Sequence, residues 1–123
     1  MTTSAPQFIF GAAPPDFWWT VRVPVPTEDD YAHAELPVQF AQLPQTELDK
    51  MRGLGLADGE AAPSDEQIAL RVLRGWRLHD EAGQAVPFGP EALAQLLAAP
   101  LVRSAIVATY LACMNGMAAR KNA

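Results

Sequence analysis

A stretch with a period of two, crowded by prolines, constrains this chain more than any other feature. In FWWTVRVPVP, residues 17–26, Trp19, Val21, Val23 and Val25 fall on one face, with Trp18, Thr20, Arg22 and Pro24 on the other. That alternation belongs to a β-strand with one side buried. Pro24 and Pro26 have no N–H to give to a ladder, so the strand or its end lies at a sheet edge. After a polar turn at residues 27–30 the alternation resumes. Ala32, Ala34, Leu36, Val38 and Phe40 oppose His33, Glu35, Pro37 and Gln39. Two such runs predict an antiparallel hairpin, and Pro37 again signals an edge. A lone hairpin is marginal in water, so it needs helices or strands of a second copy against it.

The rest of the chain reads as helix. Residues 44–52 predict a short helix with Leu43, Leu48 and Met51 as its apolar residues, stopped by Gly53. The segment GLGLADGEAAP, residues 53–63, is small and flexible in character and reads as a linker. Ser64 and Gln67 form a capping-box start, with Asp65 and Glu66 in the first turn. The following stripe is Ile68, Ala69, Val72, Leu73 and Trp76, with Gly75 at its end. Residues 78–86 read as a tight acidic turn around Gly83. Pro90 opens a helix carrying Leu93, Leu96 and Leu97. Pro100 closes it and opens the last helix, with Leu101, Val102, Ile106, Val107, Tyr110, Leu111, Met114 and Met117. That helix is apolar nearly all round and is buried in the domain or in a partner. The expected fold is one α+β domain, mainly α. A hairpin at 17–43 and a linker at 53–63 lead to a helical part at 64–119, a bundle of about four helices.

Chemistry is hard to find. The formal charge of −5 has the wrong sign for a nucleic-acid binder. The single cysteine, Cys113, forms no disulfide framework and no thiolate metal site, which points to a reducing cytoplasm. The opening residues lack the charged and apolar regions of a secretory signal. The apolar stretch near the C-terminus is interrupted by Arg103, Ser104 and Asn115 and is short for a membrane span. His33 and His79 stand apart, and Glu28-Asp29-Asp30 and Asp80-Glu81 lack calcium-loop spacing. Gly53, Gly55 and Gly59 do not have dinucleotide-loop spacing. Arg71, Arg74 and Arg77 read as a solvated face paired with acids. The expectation is therefore a non-enzymatic protein with no catalytic, cofactor-binding or metal site, and with no nucleic-acid or membrane partner.

The aromatic residues carry more. Trp18 and Trp19 adjoin and point to opposite faces of their strand, so either one packs on helices and the other is available to a partner, or a twisted strand takes both into the core of a monomer. Residues 65–110 place an apolar run ending in Gly75-Trp76 before the turn Asp80-Glu81-Ala82-Gly83. Val86-Pro87-Phe88, a Pro-Glu helix start, the pair Leu96-Leu97, and a proline-led helix with Ile106 and Tyr110 follow. This stretch, with the strand Trp19 to Pro26, resembles the tail assembly chaperones of long-tailed phages and prophages. In the resemblance Trp76, Gly83 and Phe88 are structural: helix end and core cover, turn, and staple of the next helix. The resemblance implies a cytoplasmic protein of the host cell that binds the tape-measure protein and keeps it soluble before the tail tube polymerises. It also implies contact with the tube protein through a longer, frameshifted form, and self-association. Residues 120–123 are compatible with the unextended form. The expected partner surface is Trp18, Trp19, Val107, Leu111, Met114 and Met117. A small phage structural protein, such as a head–tail connector or tail completion subunit, is the rival reading, and a small ligand-binding domain stands behind it.

Overall fold

The computed structural model describes residues 5–116. In chain order the elements are β1 (Phe17–Pro26), β2 (Tyr31–Phe40), α1 (Gln45–Met51), α2 (Asp65–Val72), β3 (Leu73–Trp76), α3 (Pro90–Leu97) and α4 (Pro100–Met114). The strands form one antiparallel sheet in the order β1-β2-β3. The hairpin pairs from Phe17↔Phe40 to Pro26↔Tyr31. Its turn is closed by the Thr27 N–H donating to the Asp30 carbonyl at 2.8 Å, with Asp29 at a positive φ of 65°.

The hydrogen-bond phase explains every proline in the sheet. Thr27 faces β2 through its backbone, and successive residues alternate sides. Val25, Val23, Val21 and Trp19 therefore bond to β2. Pro26, Pro24, Arg22, Thr20 and Trp18 turn their backbone to the open side, where a missing N–H costs nothing. On β2 the Pro37 carbonyl accepts from the Arg77 N–H at 3.0 Å. Its own nitrogen therefore faces the side of β3, just beyond the point where β3 ends at Trp76. β2 is central only over residues 38–40, and Pro37 marks the start of its second edge.

The third strand overturns the expectation of a mainly α chain with a bundle of about four helices. Helix α2 keeps its capping box: the Ser64 side chain accepts from the Gln67 N–H at 3.2 Å, and Gln67 Oε1 from the Ser64 N–H at 2.8 Å. It stops at Val72, however, and Leu73 turns extended at φ −77° and ψ 133°. The helical stripe that continued to Trp76 in the sequence was a coincidence of spacing. Gln39 in β2 and Ala41 just beyond it need partners on that side. The Ala41 N–H donates to the Val72 carbonyl at 2.8 Å, and Gln39 pairs with Gly75. Gly75 is a poor helix residue, so pairing with β2 wins over local periodicity. Trp76 thus ends a strand. The helices cover one face of a sheet instead of packing around one another as a bundle.

The core lies between that face and the helices. Val21, Val23, Leu36, Val38 and Phe40 come from the sheet, Leu48 from α1, and Ile68, Ala69 and Val72 from α2. Leu93 and Leu97 come from α3, and Ile106, Val107 and Tyr110 from α4. An aromatic chain crosses it. Phe17 meets Phe40 at 5.6 Å between ring centroids, and Phe40 meets Tyr110 edge-on at 5.1 Å. The Tyr110 hydroxyl accepts the Leu43 N–H at 3.3 Å, satisfying a buried donor where the chain leaves the sheet. Gly53, at φ 80°, ends α1, with the Leu54 N–H reaching back to the Asp49 carbonyl at 2.9 Å.

Tyr110→Phe keeps the ring but orphans the Leu43 N–H. The expected loss is about 2 kcal/mol of unfolding free energy with the fold retained, read by urea denaturation. Burial raises the Tyr110 hydroxyl above its ordinary pKa. Its folded value therefore exceeds its unfolded one, and the associated stability is present at neutral pH and lost as pH climbs past about 10. The phenylalanine variant should show a shallower alkaline decline.

Candidate partner-binding surface

Among the described residues no element covers the outer face of the sheet. On β1 it shows Trp18, Thr20 and Arg22, and on β2 Tyr31, His33, Glu35 and Gln39, with Gly75 of β3 beside Gln39. Trp18 lies across this face. A Cβ on Gly75 would sit 3.9 Å from the Trp18 ring and 3.2 Å from Gln39 Oε1, so the glycine makes room for both. The Arg77 guanidinium stacks on the Trp18 ring at 4.0 Å. Trp18 remains 40% exposed, and Tyr31, at the far end of the hairpin, 59%. Trp19 projects from the opposite face but stays 38% exposed at the rim of the sheet. The sequence expectation that one tryptophan packs on helices and the other meets solvent is replaced by two half-exposed rings flanking one edge.

The other candidates separate. Val107 is 6% exposed and belongs to the core, while Leu111 and Met114 are half-buried against it. Met117 lies outside the described residues. The outward side of α4 carries Leu101, Ser104 and Ala108, so this helix does not present a broad apolar stripe. Its apolar residues pack against β1, α2 and α3 instead. Trp76 is buried, its indole N–H donating to the Val86 carbonyl at 2.8 Å, and it meets Phe88 edge-on at 4.7 Å. Gly83, at φ 79°, sits in a turn that Asp80 holds by accepting the Ala82 and Gln84 N–H groups, each at 2.9 Å.

Sequence reasoning missed Phe8, Ile9 and Phe10. They stand 91%, 69% and 95% exposed ahead of β1. Three large apolar residues in a row between Pro6 and Gly11 were the available signal.

The arginines at 71, 74 and 77 do not converge. Arg71 makes a two-oxygen contact with Glu47 at 2.9 Å, Arg74 donates to the Arg71 carbonyl at 3.0 Å, and Arg77 is on Trp18. A cleft of about 340 Å³ opens between α1, the segment before α2, and α2 itself. Its charges are paired with one another: Arg71 with Glu47, and Lys50 with Glu60 at 3.4 Å. The backbone N–H of Ala57, then Lys50, hold the Glu60 carboxyl below the usual range. Burial pushes the Cys113 thiol up, the opposite of an activated nucleophile. Among the described residues no three His, Cys, Asp or Glu side chains are placed to hold a metal ion. Nor is any single helix there long and apolar enough to cross a membrane. Compared with protein-family models, curated proteins and solved structures, the chain gives no match.

Val107→Asp should therefore remove cooperative unfolding, because it leaves a carboxylate in the core. Trp18→Ala should cost less than about 1 kcal/mol, chiefly the Arg77 contact. Urea titrations followed by near-ultraviolet circular dichroism separate the two.

Proposed function

We propose that the chain is a non-enzymatic tail assembly chaperone of a long-tailed phage or prophage. It binds the tape-measure protein in the host cytoplasm and keeps it soluble until tube subunits polymerise around it. The observation that carries the reading is the sheet face left open by the described residues, with Trp18, Trp19 and Tyr31 exposed on or beside it, on a domain whose cleft between α1 and α2 has its charges paired with one another. Exposed aromatic rings beside a rigid sheet suit a binding surface. The resemblance over residues 65–110 supplies the partner.

The physics of the role is simple. A very long, apolar helical chain aggregates when left bare. Many copies of a small domain, each offering an aromatic surface inward and acidic groups outward, shield it. The net charge of −5 keeps such a coat soluble. This assigns the contact to the sheet and its rim, because Val107 and its neighbours on α4 are engaged in the domain's own core. Contact with the tube protein through an extended form is part of the same proposal.

A second reading, a small structural subunit such as a connector or tail completion protein, draws on the exposed Phe8-Ile9-Phe10 segment. Such an arm suits permanent docking onto a neighbour. The two readings part in the virion: a chaperone leaves, and a structural subunit stays.

Co-expression with the tape-measure protein of the same genome tests the proposal. The expected result is a soluble complex with many copies of this chain. Trp18→Ala with Trp19→Ala should lower recovery of that complex while leaving the domain folded. An insoluble tape-measure protein, with this chain present in purified virions, supports the structural-subunit reading instead.

A further inference from the structure

The open edge of β1 is self-complementary. The backbone phase turns Trp18, Thr20 and Arg22 outward, and Pro24 and Pro26 end the usable edge on one side. We propose that two copies of the chain pair through this edge, β1 antiparallel to β1 about a two-fold axis at Thr20, to make one continuous six-stranded sheet.

Two features select that arrangement. The first is hydrogen bonding. With Thr20 opposite its symmetry mate, Trp18 faces Arg22 on both sides of the axis, and each facing pair exchanges two backbone bonds. The prolines fall beyond these pairs, where no bond is needed. The second is charge. Antiparallel pairing brings Asp16 diagonally across from Arg22 of the second copy, once on each side of the axis. The Trp18 ring leans the other way, over Gly75 toward Arg77, and leaves the space beside the edge to the Arg22 guanidinium. A parallel pairing would set Arg22 beside Arg22, which repels. An isologous contact closes at two copies and does not propagate.

The pairing is short, so it lies at the small end of interfaces and depends on concentration. It concerns the chain alone, and its failure leaves the tape-measure reading standing, as the failure of that reading leaves the dimer.

Sedimentation velocity of the full chain over a range of concentrations tests it. The wild type should shift from monomer to dimer. Thr20→Pro removes the donor at the axis, which has no partner within one copy, and should give a monomer with unchanged circular dichroism. Arg22→Asp should weaken the dimer about tenfold, and adding Asp16→Arg should restore it. These exposed charge changes keep the test decisive even if Thr20→Pro fails to fold. A wild type that stays monomeric up to its solubility overturns the proposal. So does a dimer indifferent to both charge changes. A dimer lost on deleting residues 1–10 and unaffected at Arg22 identifies the Phe8-Ile9-Phe10 segment as the occupant of the edge and equally overturns it.

Discussion

The sheet and the helices are joined at one polar contact inside an apolar core. Where β2 ends, the chain turns away into α1, and the Leu43 N–H is left with no strand to receive it. The Tyr110 hydroxyl, brought in by α4, accepts that N–H. The same ring packs edge-on against Phe40, which in turn meets Phe17. One side chain therefore fixes the depth of α4 over the sheet, its rotation, and the exit of the chain from β2. Burial of apolar side chains is non-directional, whereas a hydrogen bond from a buried donor fixes both a distance and a direction.

Much of this was legible in the residues. The alternation of Trp19, Val21, Val23 and of Leu36, Val38, Phe40 yields the hairpin and its buried face. Ser64 and Gln67 yield the start of α2, and Gly53, Pro90 and Pro100 yield helix ends. The stretch Leu73, Arg74, Gly75, Trp76 could not be read locally. Its apolar residues fit a helical stripe as well as a strand with an irregular register. What decides it is an unsatisfied edge more than thirty residues earlier in the chain. Pro37 shows the same limit. The residue signals an edge correctly, but only the position of β3 reveals that β2 is an edge strand up to Pro37 and a central one over residues 38–40.

The surface was legible only in part. Trp18 and Trp19 stand out in any reading, and their alternation assigns opposite faces. Their near-equal exposure, 40% and 38%, depends on how far the packing around β1 reaches, which alternation does not show. Val107, Leu111 and Met114 share the apolar character of residues that bind partners, and composition cannot distinguish a helix buried in its own domain from one buried in another. The geometry can: α4 buries Ile106, Val107 and Tyr110 in its own domain and presents Leu101, Ser104 and Ala108 outward.

The Leu43–Tyr110 bond spans 67 positions in the chain. Synthesis proceeds from the N-terminus at a rate that places Tyr110 on the order of ten seconds after Leu43. Helix α2 and strand β3 follow only midway through that interval, and α4 is complete only after its end. Val21, Val38 and Phe40 are thus translated well before the helix that helps to bury them, so closure of this core waits on α4.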